Sequence, residues 1–271
     1  MISVLSDMMS YTFIVRAMIV GGLVALCSAL LGVSLVLKRY SMIGDGLSHV
    51  AFAALTIAVA MNVAPLYIST PIVTVAAIIL LRLSENSKIK GDSAIALIST
   101  VSIAIGVVVT ALTKGMNTDV YSYMFGSILA MSESDVYMSI ALSVVVIILF
   151  VFFYNKIFAV TFDESFAKAT GTRADAYNMI IAVLTAITIV VGMRIMGTML
   201  ISSLIIFPAL ISMRNFKTFK SVIICSAIVS VACFLLGIIL SYLYSIPTGA
   251  SIVLVNTVAL ILSYLIGELR H

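Results

Sequence analysis

Asp45 and His49 stand four residues apart in the stretch Lys38-Arg39-Tyr40-Ser41-Met42-Ile43-Gly44-Asp45-Gly46-Leu47-Ser48-His49-Val50, a polar island between two long apolar runs. On a helix that spacing stacks both side chains on one face about one turn apart, where a carboxylate oxygen and an imidazole nitrogen can grip one ion. The pair is a hard-to-borderline ligand set. It suits Zn²⁺ and Mn²⁺, and it suits Cu⁺ poorly, because Cu⁺ prefers thiolate or thioether. An ionisable side chain at membrane depth costs at least ~2.5–3.5 kcal/mol on insertion scales, so such groups usually face a cavity, a partner or a pathway. A bound cation would offset that cost. Two ligands per chain make a weak site, as a carrier needs if its ion is to leave. The blander alternative is a histidine that hydrogen-bonds Asp45 and pins the start of a helix.

The elements that must position this pair are membrane helices. Apolar residues fill 63% of 271 positions, charged residues only 10%, and mean hydropathy is +1.27. No water-soluble fold of this size carries such a composition, which predicts an all-α, polytopic membrane protein in a lipid bilayer. The opening Met1-Ile2-Ser3-Val4-Leu5-Ser6-Asp7 lacks the basic start and small-residue cleavage site of a secretory signal, so the first apolar run is expected to remain as a span. The net charge of +4 lies in loops, which suits orientation in a membrane rather than nucleic-acid binding. Cys27, Cys225 and Cys233 fall inside apolar runs without paired spacing and read as packing residues. Fifteen methionines are scattered through the spans without a repeated motif, so they too read as packing residues rather than copper ligands.

Apolar runs near the length of a span fall at about 13–37, 46–62, 65–83, 93–113, 135–155, 178–193, 195–213, 221–243 and 249–266, nine segments in one domain covering 1–271. The second and third meet at the Asn62 to Pro65 turn, and the sixth and seventh meet at Arg194; either pair can hide a half-helix, which would leave eight full spans. If nine spans alternate, Lys38, Arg39, Arg82, Lys88, Lys90, Lys156, Lys168, Arg173, Arg214, Lys217, Lys220 and Arg270 all share one side. The positive-inside rule makes that side the cytoplasm and puts the N-terminus outside. The opposite loops hold Lys114, Asp119, Glu133 and Asp135, with no basic cluster. Arg16 and Arg194, near the outer ends of their spans, read as snorkelling side chains.

The longest basic-side loop carries Thr161-Phe162-Asp163-Glu164-Ser165-Phe166-Ala167-Lys168-Ala169-Thr170-Gly171. Thr161 with Glu164 reads as a capping box, Lys168 suits a last turn and Gly171 a stop, which predicts a short isolated helix. Thr172 with Asp175 resembles a second N-cap that opens the sixth span. So short a helix is marginal alone in water, so Phe162, Phe166 and Ala169, predicted to share a face, need something to pack on. That is either the protein's own surface or another protein.

Four stretches together resemble the permease subunit of bacterial metal-ion ABC importers, the family that takes up zinc, manganese or iron. They are the run from Arg39 to His49; the run from Phe162 to Gly171; Met196-Gly197-Thr198-Met199-Leu200-Ile201-Ser202-Ser203-Leu204-Ile205-Ile206-Phe207-Pro208-Ala209; and Gly249-Ala250-Ser251-Ile252-Val253-Leu254. They occur in the family's order across nearly the whole length. The resemblance implies a type II ABC importer-like fold in the bacterial cytoplasmic membrane and a homodimer of permeases above two ABC ATPase subunits. It also implies an extracytoplasmic metal-binding protein that delivers the ion, and no stably bound cofactor. Asp45 and His49 would then meet the ion in transit. Phe162, Asp163, Glu164, Phe166, Ala167, Lys168, Ala169 and Gly171 would form the helix that seats in the ATPase. Two departures stand out: Val50-Ala51-Phe52-Ala53-Ala54 replaces a stretch where many members have a proline, and Gly46 stands where alanine is common.

Ser202 and Ser203 with Pro208, and Asn256 with Thr257, are further polar or helix-bending residues within spans. They can line or gate a pathway, although hydroxyl and amide side chains also bond helices together in lipid. Pro208 is expected to kink its helix. The chain is not expected to be an enzyme. It has no Gly-x-x-x-x-Gly-Lys-Ser/Thr run, so ATP hydrolysis must come from a partner. Met42 breaks the Gly-x-Gly-Asp pattern of an intramembrane aspartyl protease, and no His-Glu-x-x-His is present. An ion-coupled secondary metal carrier would also use a buried Asp and His but would need no coupling helix. For the metal, Tyr121-Ser122-Tyr123-Met124-Phe125-Gly126-Ser127-Ile128-Leu129 looks closer to zinc permeases than to manganese ones, so zinc is expected, with manganese or iron as alternatives.

Overall fold

The computed structural model describes residues 10–86, 91–113 and 133–269. Lys88, Lys90, Lys114, Asp119, Arg270 and the zinc-like run from Tyr121 to Leu129 lie outside the described residues. Eleven helices and no strand occur among the described residues. They are α1 (Thr12–Leu37), α2 (Ile43–Ala60), α3 (Pro65–Asn86), α4 (Gly91–Leu112), α5 (Glu133–Phe152), α6 (Tyr154–Phe162), α7 (Glu164–Ala169), α8 (Ala174–Met196), α9 (Thr198–Asn215), α10 (Phe219–Tyr244) and α11 (Thr248–Leu269).

Each of the nine predicted segments corresponds to one helix. Eight are long and apolar enough to cross a membrane, and the ninth, α9, has a shorter apolar stretch from Leu200 to Asn215. The ambiguity at the sixth and seventh segments resolves into a break at Gly197, where φ is +83°. That backbone is accessible to glycine and strained for other residues. α9 continues through Pro208 as one helix.

The α1 helix is apolar on every face and lies at the centre, packed by α5, α8, α9 and α10. Lipid tails are as apolar as leucine, so close approach and interhelical hydrogen bonds must hold such a bundle together. Both are present. Ser230 Oγ donates to the Ala25 carbonyl at 2.9 Å, and Ser226 Oγ donates to the Ala29 carbonyl at 3.4 Å, fastening α10 to α1. Ser251 Oγ donates to the Gly237 carbonyl at 2.8 Å and ties α11 to α10. Arg16 does more than reach for headgroups, because it pairs with Glu133 at the same end of α1 and α5. At the opposite end Arg214 lies over the Tyr264 ring at 3.9 Å, and Asn215 Nδ2 donates to Ser263 Oγ at 2.9 Å, joining the C-terminal ends of α9 and α11.

Candidate functional site

The polar island folds as a tight joint. Lys38 ends α1, Arg39 takes φ +62°, the Tyr40 N–H donates to the Leu35 carbonyl at 2.8 Å and the Arg39 N–H to Val36 at 3.1 Å. This is a Schellman ending with arginine where glycine is usual. Five residues, 38–42, then lead into α2. Asp45 lies in the first turn of α2, where a negative charge suits the helix dipole. One turn on, His49 Nε2 is 3.7 Å from Asp45 Oδ2. The predicted common face is present. The Asp45 side chain is 42% exposed and the His49 side chain 22%.

Gly44 and Gly46 flank Asp45 and show what surrounds it. A Cβ on Gly44 would lie 3.1 Å from Ile205 Cδ1 and 3.7 Å from Ser202 Oγ, both on α9. A Cβ on Gly46 would lie 2.7 Å from Ile95 Cγ2 and 3.5 Å from Ser99 Oγ, both on α4. Successive residues turn by about 100°, so the Asp45 side chain projects between α9 and α4. Glycine at 46 has a packing reason: alanine there would collide with Ile95. Ser99 Oγ and Ser202 Oγ are both buried, with no hydrogen-bond partner among the described residues. Ser99 escaped sequence reasoning because nothing in its local pattern distinguishes it from other span serines.

The remaining pathway candidates separate. Ser203 is buried and donates to the Leu200 carbonyl at 2.7 Å within its own helix. Asn256 is fully buried; its Nδ2 donates to Ile252 at 2.9 Å, and its Oδ1 has no partner among the described residues. Pro208 is buried within α9. Among the described residues no group of three or more His, Cys, Asp or Glu side chains could hold a metal; Asp45 and His49 stand as a pair.

The predicted short helix is present as α7, with a different start. Asp163, not Thr161, is its N-cap: the Asp163 carboxylate accepts the Phe166 N–H at 2.8 Å. Thr161 lies in the last turn of α6, with Oγ1 buried and without a partner among the described residues. The capping box fails because Thr161 is still inside α6 and Glu164 is the first residue of α7, engaged elsewhere as described below. The end is as expected. Gly171, at φ +81°, donates to the Lys168 carbonyl at 3.1 Å, and Thr172 donates to Ala167 at 2.9 Å, a complete Schellman motif. The second expected cap is absent, since Arg173 precedes α8 without a side-chain cap bond. Asp175 instead meets Lys168 Nζ at 2.9 Å.

α7 has two faces. Ala167 is buried with Val160 and Ala174 and seats the helix on its own protein. Phe166 is 65% exposed on the outer side, with Ala169 exposed nearby. Phe162 belongs to α6 rather than α7 and stacks on Phe158 and Phe219, with ring centroids 5.0 and 5.7 Å away.

Glu164 ties α7 inward. Its Oε2 accepts from Lys38 Nζ at 3.2 Å and from Asn178 Nδ2 at 3.0 Å, and its Oε1 meets Lys168 Nζ at 3.0 Å. Lys38 also donates to Asn178 Oδ1, which closes a triangle between the ends of α1, α7 and α8. Burial alone would push the Glu164 carboxyl up; hydrogen bonds from Asn178, Lys168 and Lys38 outweigh it and hold the group at about 2. Lys168 is pushed above the usual lysine range by its bonds to Asp175 and Glu164.

Among the described residues, eight span-length apolar helices with a ninth, shorter one, a carboxylate and imidazole one turn apart, and a capped surface helix with an exposed aromatic make up a polytopic membrane protein. The chain belongs to the ABC 3 transport family, whose model matches residues 10–267. The resemblance carried by the four stretches is thereby borne out, and the chain is an integral protein of the cytoplasmic membrane. It is similar to the "High-affinity zinc uptake system membrane protein ZnuB" of Haemophilus influenzae, 29% identical and covering 91% of this chain and 95% of the relative. It is also similar to the "Manganese import system permease protein ScaB" of Streptococcus gordonii, 25% identical over 95% and 92% of the two chains. A solved structure, "PsaBC from Streptococcus pneumoniae in complex with Fab", superposes with a TM-score of 0.88 at 26% identity, covering 97% and 95% of the two chains.

Proposed function

We propose that this chain is the membrane permease of an ATP-driven importer of divalent metal ions, with zinc as its cargo. The observation that carries the reading is the Asp45 and His49 pair, which offers one carboxylate and one imidazole from a single helix face beside α4 and α9. Those ligands suit a hard-to-borderline divalent ion and leave it weakly held. Ligation requires Asp45 ionised and His49 unprotonated, so both lone pairs are free for the cation. Partners complete the reading: an ABC ATPase on the exposed Phe166 side of α7, an extracytoplasmic metal-binding protein on the opposite membrane face, and a second copy of this chain. Of the further candidates, Ser202, its buried Oγ unpartnered among the described residues and beside Gly44, is the one placed near the pair; Ser203 bonds within its own helix, and Pro208 and Asn256 keep a pathway or gating role only as candidates.

The second reading keeps the transporter and changes the cargo to manganese, and the likeness to a permease named for manganese import favours it. Metal content and labelled uptake in cells lacking this chain, under separate zinc and manganese limitation, distinguish the two. Zinc cargo predicts a deficit under zinc limitation alone; a deficit under manganese limitation alone replaces zinc with manganese, and no deficit for either ion rejects the importer.

A further inference from the structure

We infer that Lys38 and Asn178 are positioning residues that transmit movement of α7 to the helix bearing Asp45 and His49. This rests on the proposed function, in which α7 receives the ATPase stroke. α7 has only six residues. Such a helix is too short to be a stiff lever, and its only buried residue, Ala167, gives a small, slippery seat. A push on its outer face reaches the bundle through its short chain connections to α6 and α8, through the Lys168 to Asp175 bridge, and through the bonds that Glu164 makes from the first turn.

Two of those bonds leave α7 for the bundle. One runs through Lys38, whose side chain is only 10% exposed and which ends α1. From there the joint at 38–42 is short and internally bonded: Lys38, Arg39 and Tyr40 donate back into α1, and Ile43 donates to the Tyr40 carbonyl at 3.0 Å. A displacement of Lys38 thus reaches Asp45 across seven residues with little slack. The other bond runs through Asn178, 3% exposed on α8, a helix that packs directly on α2 and α3. Lys38 and Asn178 also bond each other, so the two routes move together. The ammonium and the amide are nearly out of water while the Glu164 carboxylate is 36% exposed, so removing a partner strands a buried polar group on the Lys38 and Asn178 side. A contiguous bonded network is a physical candidate for coupling, and only perturbation shows whether it carries any.

The test uses the full permease co-purified with its ATPase and reconstituted in vesicles. It measures ATPase binding, ATP hydrolysis and labelled zinc uptake on the same preparations. Lys38→Met should leave the ATPase bound, because Phe166 and the outer face of α7 are untouched. Ions moved per ATP should nevertheless fall about tenfold or more, within the range of ordinary coupling energies. Lys38→Arg, which keeps the charge and donors, should retain most of the stoichiometry. If Lys38→Met folds poorly, the exchange of Lys38→Glu with Glu164→Lys restores the pair and should recover the ratio relative to either single change. Phe166→Asp should instead abolish ATPase binding itself. An unchanged stoichiometry in Lys38→Met, or a loss of uptake that tracks abundance alone, overturns the coupling role and leaves the importer reading intact. A wild type that neither binds an ATPase nor moves zinc rejects that reading and the inference with it.

Discussion

The Asp163 carboxylate accepts the Phe166 backbone N–H at 2.8 Å, so the helix that presents Phe166 begins with Asp163 as the single residue between it and α6. An N-cap of this kind contributes about 0.5–2 kcal/mol, which is large for a single-turn helix. Asp163→Ala should therefore speed amide hydrogen exchange at Phe166 and weaken ATPase binding, while Thr161→Ala leaves Phe166 exchange unchanged. Equal protection in Asp163→Ala and wild type would refute the cap.

The failure of the sequence at this point has a physical cause. Thr161 with Glu164 has the spacing of a capping box, and a single sequence cannot show that Lys38 and Asn178, 126 and 14 residues away, claim the Glu164 carboxylate. The spans were legible because apolar periodicity and length are local properties. The Asp45 and His49 face was legible for the same reason, since one helix sets both positions. Lys38 read only as a topogenic charge, and Asn178 fell at the edge of a predicted span. Gly46 read as a departure from a pattern, because its reason lies on α4.

Glu164 is held at about 2, below its ordinary value of 4.5, so it binds a proton more readily in the unfolded chain than in the folded one. Its contribution to stability is full above about 4.5, shrinks as pH falls from there, and is gone below about 2. Thermal unfolding of the solubilised permease should therefore show Glu164→Gln less stable than wild type near neutrality, with the gap closing under acid. A gap that persists unchanged down to the acid limit would contradict this assignment.

Gly46 lets α2 approach α4 closely. Gly46→Ala would place a methyl 2.7 Å from Ile95 Cγ2 and should cost about 1–3 kcal/mol, as overpacking usually does. Ile95→Ala in the same chain should recover most of the loss, as a double-mutant cycle in unfolding experiments would show. Additive losses would mean that the two residues do not meet.

The positive-inside rule predicts that the α7 side faces the cytoplasm. In a background lacking Cys27, Cys225 and Cys233, a cysteine at Lys217 should be shielded from an impermeant thiol reagent in intact cells. One at Val63, exposed in the α2 to α3 turn, should react. Labelling at Lys217 and protection at Val63 would invert the protein.

The central claim is that Asp45 and His49 touch the ion in transit, and uptake through paired His49 variants tests it most directly. Labelled zinc and manganese uptake is compared for wild type, Asp45→Asn, His49→Ala, His49→Asp and His49→Gln at equal membrane abundance. If the pair ligates the ion, Asp45→Asn and His49→Ala lose most uptake. His49→Asp, which restores a ligand, then keeps partial activity with an altered zinc-to-manganese ratio and exceeds His49→Gln. If His49 only pins the start of α2, the uncharged hydrogen-bonding glutamine substitutes for it: wild-type uptake through His49→Gln beside a dead His49→Asp would contradict the ion-pathway account.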